Sequence, residues 1–328
     1  MSAEPVLAVR DLHVTFATAR GPVMAVDGAS LDVRPGEIVG LVGESGSGKS
    51  VTLRAVLGLL GASAHVTGEA MFRGVDLLKI GERERVKARG SGVGMIFQEP
   101  MTALNPVLSI GGQIEETLAA HGQREKRARR KRAIELLRLV GIPAPEARLG
   151  AYPHEFSGGM RQRAMIAIAL AAGPEVLLAD EPTTALDVTI QDQILRLIKR
   201  LTGELGMATV LVTHDLGVVA ETCDRVTVMY AGRVAETAPV GALFAKPRHA
   251  YTHALLRSAP HGGRPLTPLN SIRGQPSSAG EAPDACAFAP RCDFAEAACR
   301  RARPKLSALG EDQASACLAQ DRLPAWRA

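Results

Sequence analysis

Eight consecutive residues, Gly43-Glu44-Ser45-Gly46-Ser47-Gly48-Lys49-Ser50, are of the types needed to hold a polyphosphate. They fit the pattern GxxxxGK[ST], in which glycines let backbone N–H groups turn toward phosphate oxygens. Gly43, Ser45, Gly46 and Gly48 form the cradle in this reading. Lys49 reaches the β- and γ-phosphates, and Ser50 ligates Mg²⁺. A helix beginning near Lys49 adds its positive dipole end. A second stretch, Val176-Leu177-Leu178-Ala179-Asp180-Glu181, ends an apolar run in two carboxylates. Asp180 is placed to hold Mg²⁺ through water, and Glu181 to polarise an attacking water.

Three further features join these two. Gln98, after Met95-Ile96-Phe97, is in place to contact Mg²⁺ and water. His214, after the apolar run Thr209 to Val212, is either structural or within reach of a γ-phosphate. Ser157-Gly158-Gly159 opens a long helical stretch, Met160 to Ala172, with a good N-cap and two glycines that expose backbone N–H groups. That is a second anion site without a lysine of its own. Two chains sandwiching a nucleotide, each giving one element to each site, account for both.

The elements that must position these groups alternate along the chain. Leu7 to Val9, Leu12 to Phe16 and Leu31 to Val33 read as strands. Ile38 to Val42 reads as a strand buried on both faces. A helical stretch from Val51 to Leu60 follows the glycine loop. Strands at Val176 to Ala179, Thr209 to Val212 and Val226 to Tyr230, with a helix from Val188 to Leu205, complete a strand–helix alternation. That pattern argues for an α/β layered fold with a largely parallel sheet. Residues 121–141 are strongly basic, with Arg124, Lys126, Arg127, Arg129, Arg130, Lys131 and Arg132, and with an apolar face through Ile134, Leu137 and Val140. This reads as a solvated helix face, with a nucleic-acid or lipid contact as the alternative.

In order and in kind, these motifs resemble the ATP-binding subunits of ABC transporters, over about residues 6–257. The resemblance makes Gly43 to Ser50 a Walker A loop, Gln98 the Q-loop, Phe156 to Met160 the signature and Val176 to Glu181 Walker B. It makes Ala185-Leu186-Asp187 the D-loop and His214 the switch histidine. It also places Phe16 where an aromatic stacks on adenine; the alternative for Phe16 is a strand core residue. The signature carries Phe156 and Met160 where the usual pattern has Leu and Gln, yet keeps Ser157 and Gly159. The segments Gln98 to Pro106, Tyr152 to Arg163 and Asp180 to Thr189 resemble the oligopeptide/dipeptide importer ATPases, a group that includes nickel and glutathione importers.

The resemblance implies a P-loop NTPase of the ABC type, with a RecA-like core, an antiparallel β subdomain and a helical signature subdomain. An ATPase domain at 1–257 is then followed by an extension at 258–328. It implies ATP and Mg²⁺ as ligands, with Glu181, His214 and Gln98 in catalysis. Asp187 and Ser157 to Gly159 contribute to the composite nucleotide site. The implied function is ATP hydrolysis driving import of di- or oligopeptides, with nickel, glutathione or another small solute as the alternative. The implied partners are a second homologous ATPase in a heterodimer, two permeases and an extracytoplasmic binding protein. The implied place is the cytoplasmic face of the inner membrane.

The tail is a separate matter. Residues 258–285 hold five prolines and four glycines and read as a linker. Cys286, Cys292, Cys299 and Cys317 follow with spacing C-x5-C-x6-C-x17-C, unlike common zinc modules or ferredoxin runs. The residues alone allow a 4Fe–4S cluster, zinc or free thiols. The importer ATPases carry a similar tail around Cys286-Ala287-Phe288-Ala289-Pro290-Arg291-Cys292, and that resemblance favours a 4Fe–4S cluster. Cys223 reads as a small packing residue.

Composition bounds the rest. At 328 residues the chain suits about two domains, or one with an appendage. Apolar residues at 46% and charged residues at 22% exclude wholesale disorder. A net charge of +5 and the basic helix at 124–132 are the only support for a soluble ABC ATPase acting on nucleic acid or ribosomes; a single Walker A, no tandem second cassette, no long heptad segment and only 3% aromatics argue against it. A GTP switch lacks its Asn-Lys-x-Asp motif. Glu4, Arg10 and Asp11 argue against a signal peptide, and the most apolar run, Ala164 to Gly173, is half the length of a membrane span.

Overall fold

The computed structural model describes residues 4–184, 186–258, 271–282, 284–310 and 312–324. Ala185 of the expected D-loop and residues 259–270 and 283 of the expected linker lie outside the described residues. Two units are assembled from interleaved chain segments. One takes residues 1–7, 33–38 and 72–211, the other residues 8–32, 39–71 and 212–328.

The first unit is built around Val176–Asp180, buried at every position. Ala208–Thr213 lies on one side of it and Val93–Ile96 on the other. The pairing with Val93–Ile96 is parallel, with Val93 opposite Val176 and Ile96 opposite Ala179. Continuous apolar runs suit strands covered on both faces. Gly94 is required here: a Cβ would lie 2.7 Å from the Ala169 carbonyl oxygen of the helix Gly158–Leu170. That helix packs with Ile110–Ala120 and Lys126–Leu139. The basic helix buries Ala133, Leu136 and Leu137, and Val140 just beyond it is buried too, while Ile134 is only half-buried. The apolar stripe is thus shifted from the one expected, and most of its cations are exposed, as a solvated face requires.

In the second unit the buried strand Ile38–Val42 pairs in parallel with Arg225–Tyr230, Val39 opposite Arg225 and Val42 opposite Val228. Arg225–Tyr230 turns back through Ala231 (φ 48°) and Gly232 (φ 78°) into Arg233–Pro239. Two central residues with positive φ give the turn whose twist matches its strands. Gln313–Ser315 then pairs antiparallel with Arg233–Pro239, and Ser307–Gly310 with Gln313–Ser315. A second sheet orders Gly21–Val33, Leu7–Thr18 and Ala64–Phe72. Leu7–Thr18 is one strand where the sequence reads as two, interrupted by Asp11 at φ 45°.

The tail shares the core of this unit. Tyr230, Tyr251 and Phe288 form a trio with ring centroids 4.6 to 5.3 Å apart. Ala287 and Leu323 are buried with them. Glu236, fully buried on Arg233–Pro239, accepts the backbone N–H groups of Arg248 (2.7 Å) and His249 (2.9 Å). Burial pushes its carboxyl up to about 7, against the pull of those hydrogen bonds.

Candidate functional site

The glycine loop leaves the buried strand Ile38–Val42 and enters the helix Lys49–Val56. Two of its glycines are obligatory. At Gly43 (φ 154°) a Cβ would come 2.2 Å from the Met229 carbonyl oxygen, and at Gly48 (φ 98°) 2.6 Å from that of Ala25. Gly46 also has positive φ, 78°. Lys49 is buried, and its Nζ donates to the carbonyl oxygens of Gly43 (2.7 Å) and Glu44 (2.9 Å). The lysine is therefore folded back along the loop, its ammonium aimed where the loop curls. Ser45 is exposed and Ser50 half-buried at the first turn of the helix. The arrangement is an anion cradle with a cation at its base.

Phe16 sits half-buried on Leu7–Thr18. His214 is exposed directly after Ala208–Thr213 and ahead of the helix Leu216–Thr222, which Asp215 caps by accepting from Gly217 N–H (2.7 Å).

In the first unit Asp180 ends the central strand with no exposed surface. Glu181 follows with φ 45°, a left-handed conformation that a non-glycine residue adopts at a cost. Its Oε2 accepts from Gln98 Nε2 (3.2 Å) and Thr184 Oγ1 (2.9 Å). The structure thus brings together Gln98 and Glu181, 83 residues apart in sequence. Thr184 has no role in the sequence reading; the signal for it was its place three residues beyond an acid in a tight turn.

Ser157 caps the helix Gly158–Leu170, its Oγ accepting from Met160 N–H (3.4 Å). Asp187 caps Val188–Leu205, with Oδ1 accepting from Ile190 N–H (3.0 Å). The two helix starts are neighbours: a Cβ on Gly159 would meet Ile190 Cγ2 at 2.7 Å, and one on Gly158 would meet Leu186 Cδ2 at 3.6 Å. Phe156 is buried, so the aromatic at that position serves packing.

Two residues outside the sequence motifs join the glycine loop, Tyr251 and the tail's Arg291, and spacing did not reveal them. Glu44 N–H donates to Tyr251 Oη (2.8 Å). Arg291 bridges the Glu44 carboxylate with both ends of its guanidinium, Nη1 to Oε2 at 2.6 Å and Nη2 to Oε1 at 3.0 Å. No local pattern links residues 247 positions apart.

The four tail cysteines fall in one neighbourhood. Burial raises the thiols of Cys286, Cys292 and Cys317, and the nearby thiols raise them further, with Cys292 pushed up to about 11. Four thiols are suitable soft donors by type. Among the described residues, however, no group of three or more His, Cys, Asp or Glu is arranged to hold a metal ion. The Cys292 and Cys317 sulfurs accept backbone N–H groups of Phe294 (3.3 Å) and Ala319 (3.4 Å). The expected 4Fe–4S cluster, and zinc as its alternative, find no support in that arrangement of the described residues; N–H···S bonds of this kind are made by free and metal-bound sulfurs alike. Cys223 packs against the core of its unit, as expected, 3.1 Å from where a Gly40 Cβ would lie.

Comparison with known proteins agrees with this geometry. The family described as ABC transporter matches residues 26–184, and the oligopeptide/dipeptide transporter C-terminal region matches residues 235–299. A probable peptide ABC transporter ATP-binding protein of Sinorhizobium fredii is 51% identical, with 96% of this chain and 95% of that protein covered. The dipeptide transport ATP-binding protein DppD of Escherichia coli is 48% identical, with 95% of each covered. A dimeric bacterial ABC transporter cassette matches with TM-score 0.64 at 31% identity, covering 71% of this chain and 98% of that one. A cassette dimer in a post-hydrolysis state with ADP and Pi matches equally well in TM-score, at 30% identity. With the cradle, the paired acids and these likenesses in place, the chain belongs to the ATP-binding subunits of ABC transporters of the oligopeptide/dipeptide type.

Proposed function

We propose that the chain hydrolyses ATP to drive uptake of di- or oligopeptides through an ABC importer. The observation that carries the ATPase reading is the cradle around Lys49, with its two obligatory glycines. The peptide assignment is supported by the relatives' names and by the C-terminal match. Gly43, Ser45, Gly46, Gly48 and Lys49 bind the phosphates, and Phe16 stacks on the base. Ser50, Gln98 and Asp180 are the residues to hold Mg²⁺, which when bound neutralises charge on the phosphates. Glu181 takes the proton of the attacking water, oriented by Gln98 and Thr184, and His214 contacts the γ-phosphate. The alternatives of nickel, glutathione or nucleic-acid work have no comparable support.

Ser157 to Gly159 and Asp187 serve the nucleotide of a partner ATPase, so the working unit is a dimer, taken as a heterodimer with a homologous subunit. Two permeases and an extracytoplasmic binding protein complete the system, and the chain sits peripherally on the cytoplasmic face. No helix among the described residues is long and apolar enough to cross a membrane. The four cysteines are read as a packed thiol cluster. Iron, sulfide and zinc content of protein purified without oxygen tests that reading: stoichiometric iron and sulfide would restore the cluster, and stoichiometric zinc the zinc alternative. The function is tested by pull-down from detergent-solubilised membranes. Co-purifying permeases and a second ATPase are expected, while recovery with ribosomes or nucleic acid would overturn the importer.

A further inference from the structure

The glycine loop is held at one residue in three ways, one of them by the tail. Glu44 is the second residue of the loop. Its amide is held by Tyr251 Oη, its carboxylate by Arg291, and its carbonyl by Lys49. Arg291 is built to stay in place: its side chain is 4% exposed. Its Nε donates to the Arg273 carbonyl oxygen (2.8 Å), and its guanidinium lies 5.9 Å from the Tyr230 ring centre and 6.0 Å from that of Phe288. Two rings and a carbonyl leave the guanidinium one orientation, and a fork in fixed orientation meets both oxygens of one carboxylate.

This contact has an electrostatic meaning for the loop. Glu44 places a negative charge within a segment whose amides must accept a polyphosphate. Unpaired and partly shielded from water, that charge would repel the ligand. Paired with Arg291 it does not, and its side chain fixes the course of the loop. Resting on the reading of residues 43–50 as the ATP cradle, we propose that Arg291 is a positioning residue for ATP. Supplied by the C-terminal region with help from Tyr251, it neutralises and orients Glu44 and so sets nucleotide affinity. Arg291 stands between Cys286 and Cys292 in sequence, so the conformation of the cysteine segment bears directly on the loop.

The test is equilibrium binding of a fluorescent ATP analogue with Mg²⁺ to the full-length chain, with steady-state hydrolysis alongside. Arg291→Gln should weaken binding by about tenfold, within the range of ordinary coupling between sites, and raise KM with kcat within about twofold. The double variant Arg291→Gln/Glu44→Gln should recover most of the affinity, because the uncompensated charge is gone. A role in folding alone would not give that recovery. Wild-type affinity in Arg291→Gln, or a double variant no better than the single one, would overturn the proposal. If Arg291→Gln does not fold, Arg291→Lys carries the test: it keeps the charge but cannot bridge both oxygens. A loss of about threefold is expected from it, and an unchanged affinity overturns the proposal. A wild-type chain that binds no ATP, like the Lys49→Ala control, would sink the cradle itself and the proposal with it. Binding that survives Arg291→Gln unchanged sinks the proposal alone.

Discussion

The glycine loop at 43–50 and the acid turn at 180–187 are held in different ways. The loop's course is fixed by glycine packing and by hydrogen bonds to its backbone carbonyls, with Tyr251 and Arg291 holding Glu44. Gly43 and Gly48 leave no space for a side chain, Gly232 N–H donates to the Ser47 carbonyl oxygen (3.1 Å), and Thr52 Oγ1 donates to that of Gly48 (3.0 Å). The turn has backbone bonds of its own, Thr184 N–H to the Glu181 carbonyl oxygen (3.2 Å) and Leu186 N–H to that of Thr183 (3.2 Å), but the Glu181 carboxylate, on a left-handed backbone, rests on side chains: the amide of Gln98 and the hydroxyl of Thr184. A binding cradle profits from rigidity, since preorganised amides cost nothing to order when ligand arrives. A general base must exchange hydrogen bonds as its water comes and goes. Side-chain partners allow that exchange at small cost, and backbone partners do not.

Substitutions can break or sharpen this contrast. Lys49→Ala should abolish detectable ATP binding, measured by titration of a fluorescent analogue. Glu181→Gln should keep binding and lose about 10²–10⁴-fold in hydrolysis, the usual share of a general base. Hydrolysis at the normal rate would remove Glu181 from that role. Gly48→Ala should cost about 3 kcal/mol of stability, from positive φ and contact with a backbone carbonyl together. Chemical denaturation measures it, and a loss under about 0.5 kcal/mol would show that the loop is softer than its packing implies. Thr184→Val should lower kcat several-fold with KM for ATP unchanged, because it removes a hydrogen bond, worth about 1 kcal/mol, from the Glu181 carboxylate.

The smallest effect is a pH dependence away from both regions. Glu236 has a folded pKa near 7, above its ordinary 4.5. Its contribution to stability is therefore fully present below about 4.5 and is lost as pH rises through 7. The melting temperature of the wild type relative to Glu236→Gln should fall between pH 5 and 8. A difference constant with pH would show that Glu236 keeps its charge when folded.

Much of the loop and turn was legible because their residue types are dictated by chemistry at fixed spacing. Gly43 to Ser50 admits few other uses, and Asp180 after four buried apolar residues marks a strand end. The helix Val188–Leu205 was readable to the residue, since Asp187 caps it and Gly206, at φ 63°, ends it. Arg233–Pro239 was not legible because a buried Glu236 breaks the apolar pattern of a core strand, and its partners, two backbone N–H groups, leave no mark in sequence. Ser307–Gly310 and Gln313–Ser315 are too short for a period to show. Arg291 looked like any arginine in a proline-rich tail, and its meaning lies in a carboxylate 247 residues earlier. The cysteines stand apart: a tetrad of soft donors advertises a metal, and among the described residues no such group is arranged to hold one, while Cys286, Cys292 and Cys317 pack against the aromatic core.

The pairing of Gln313–Ser315 with Arg233–Pro239 also bears on solubility. Without it, the outer side of Arg233–Pro239 would present unpaired N–H and C=O groups along a strand flanked by apolar surface, an invitation to another chain. The tail occupies that position and leaves as the new border Ser307–Gly310, four residues long and mostly exposed. A border that short offers little for a stray strand to grip. Shortening the protein to its ATPase portion would therefore remove a guard against aggregation.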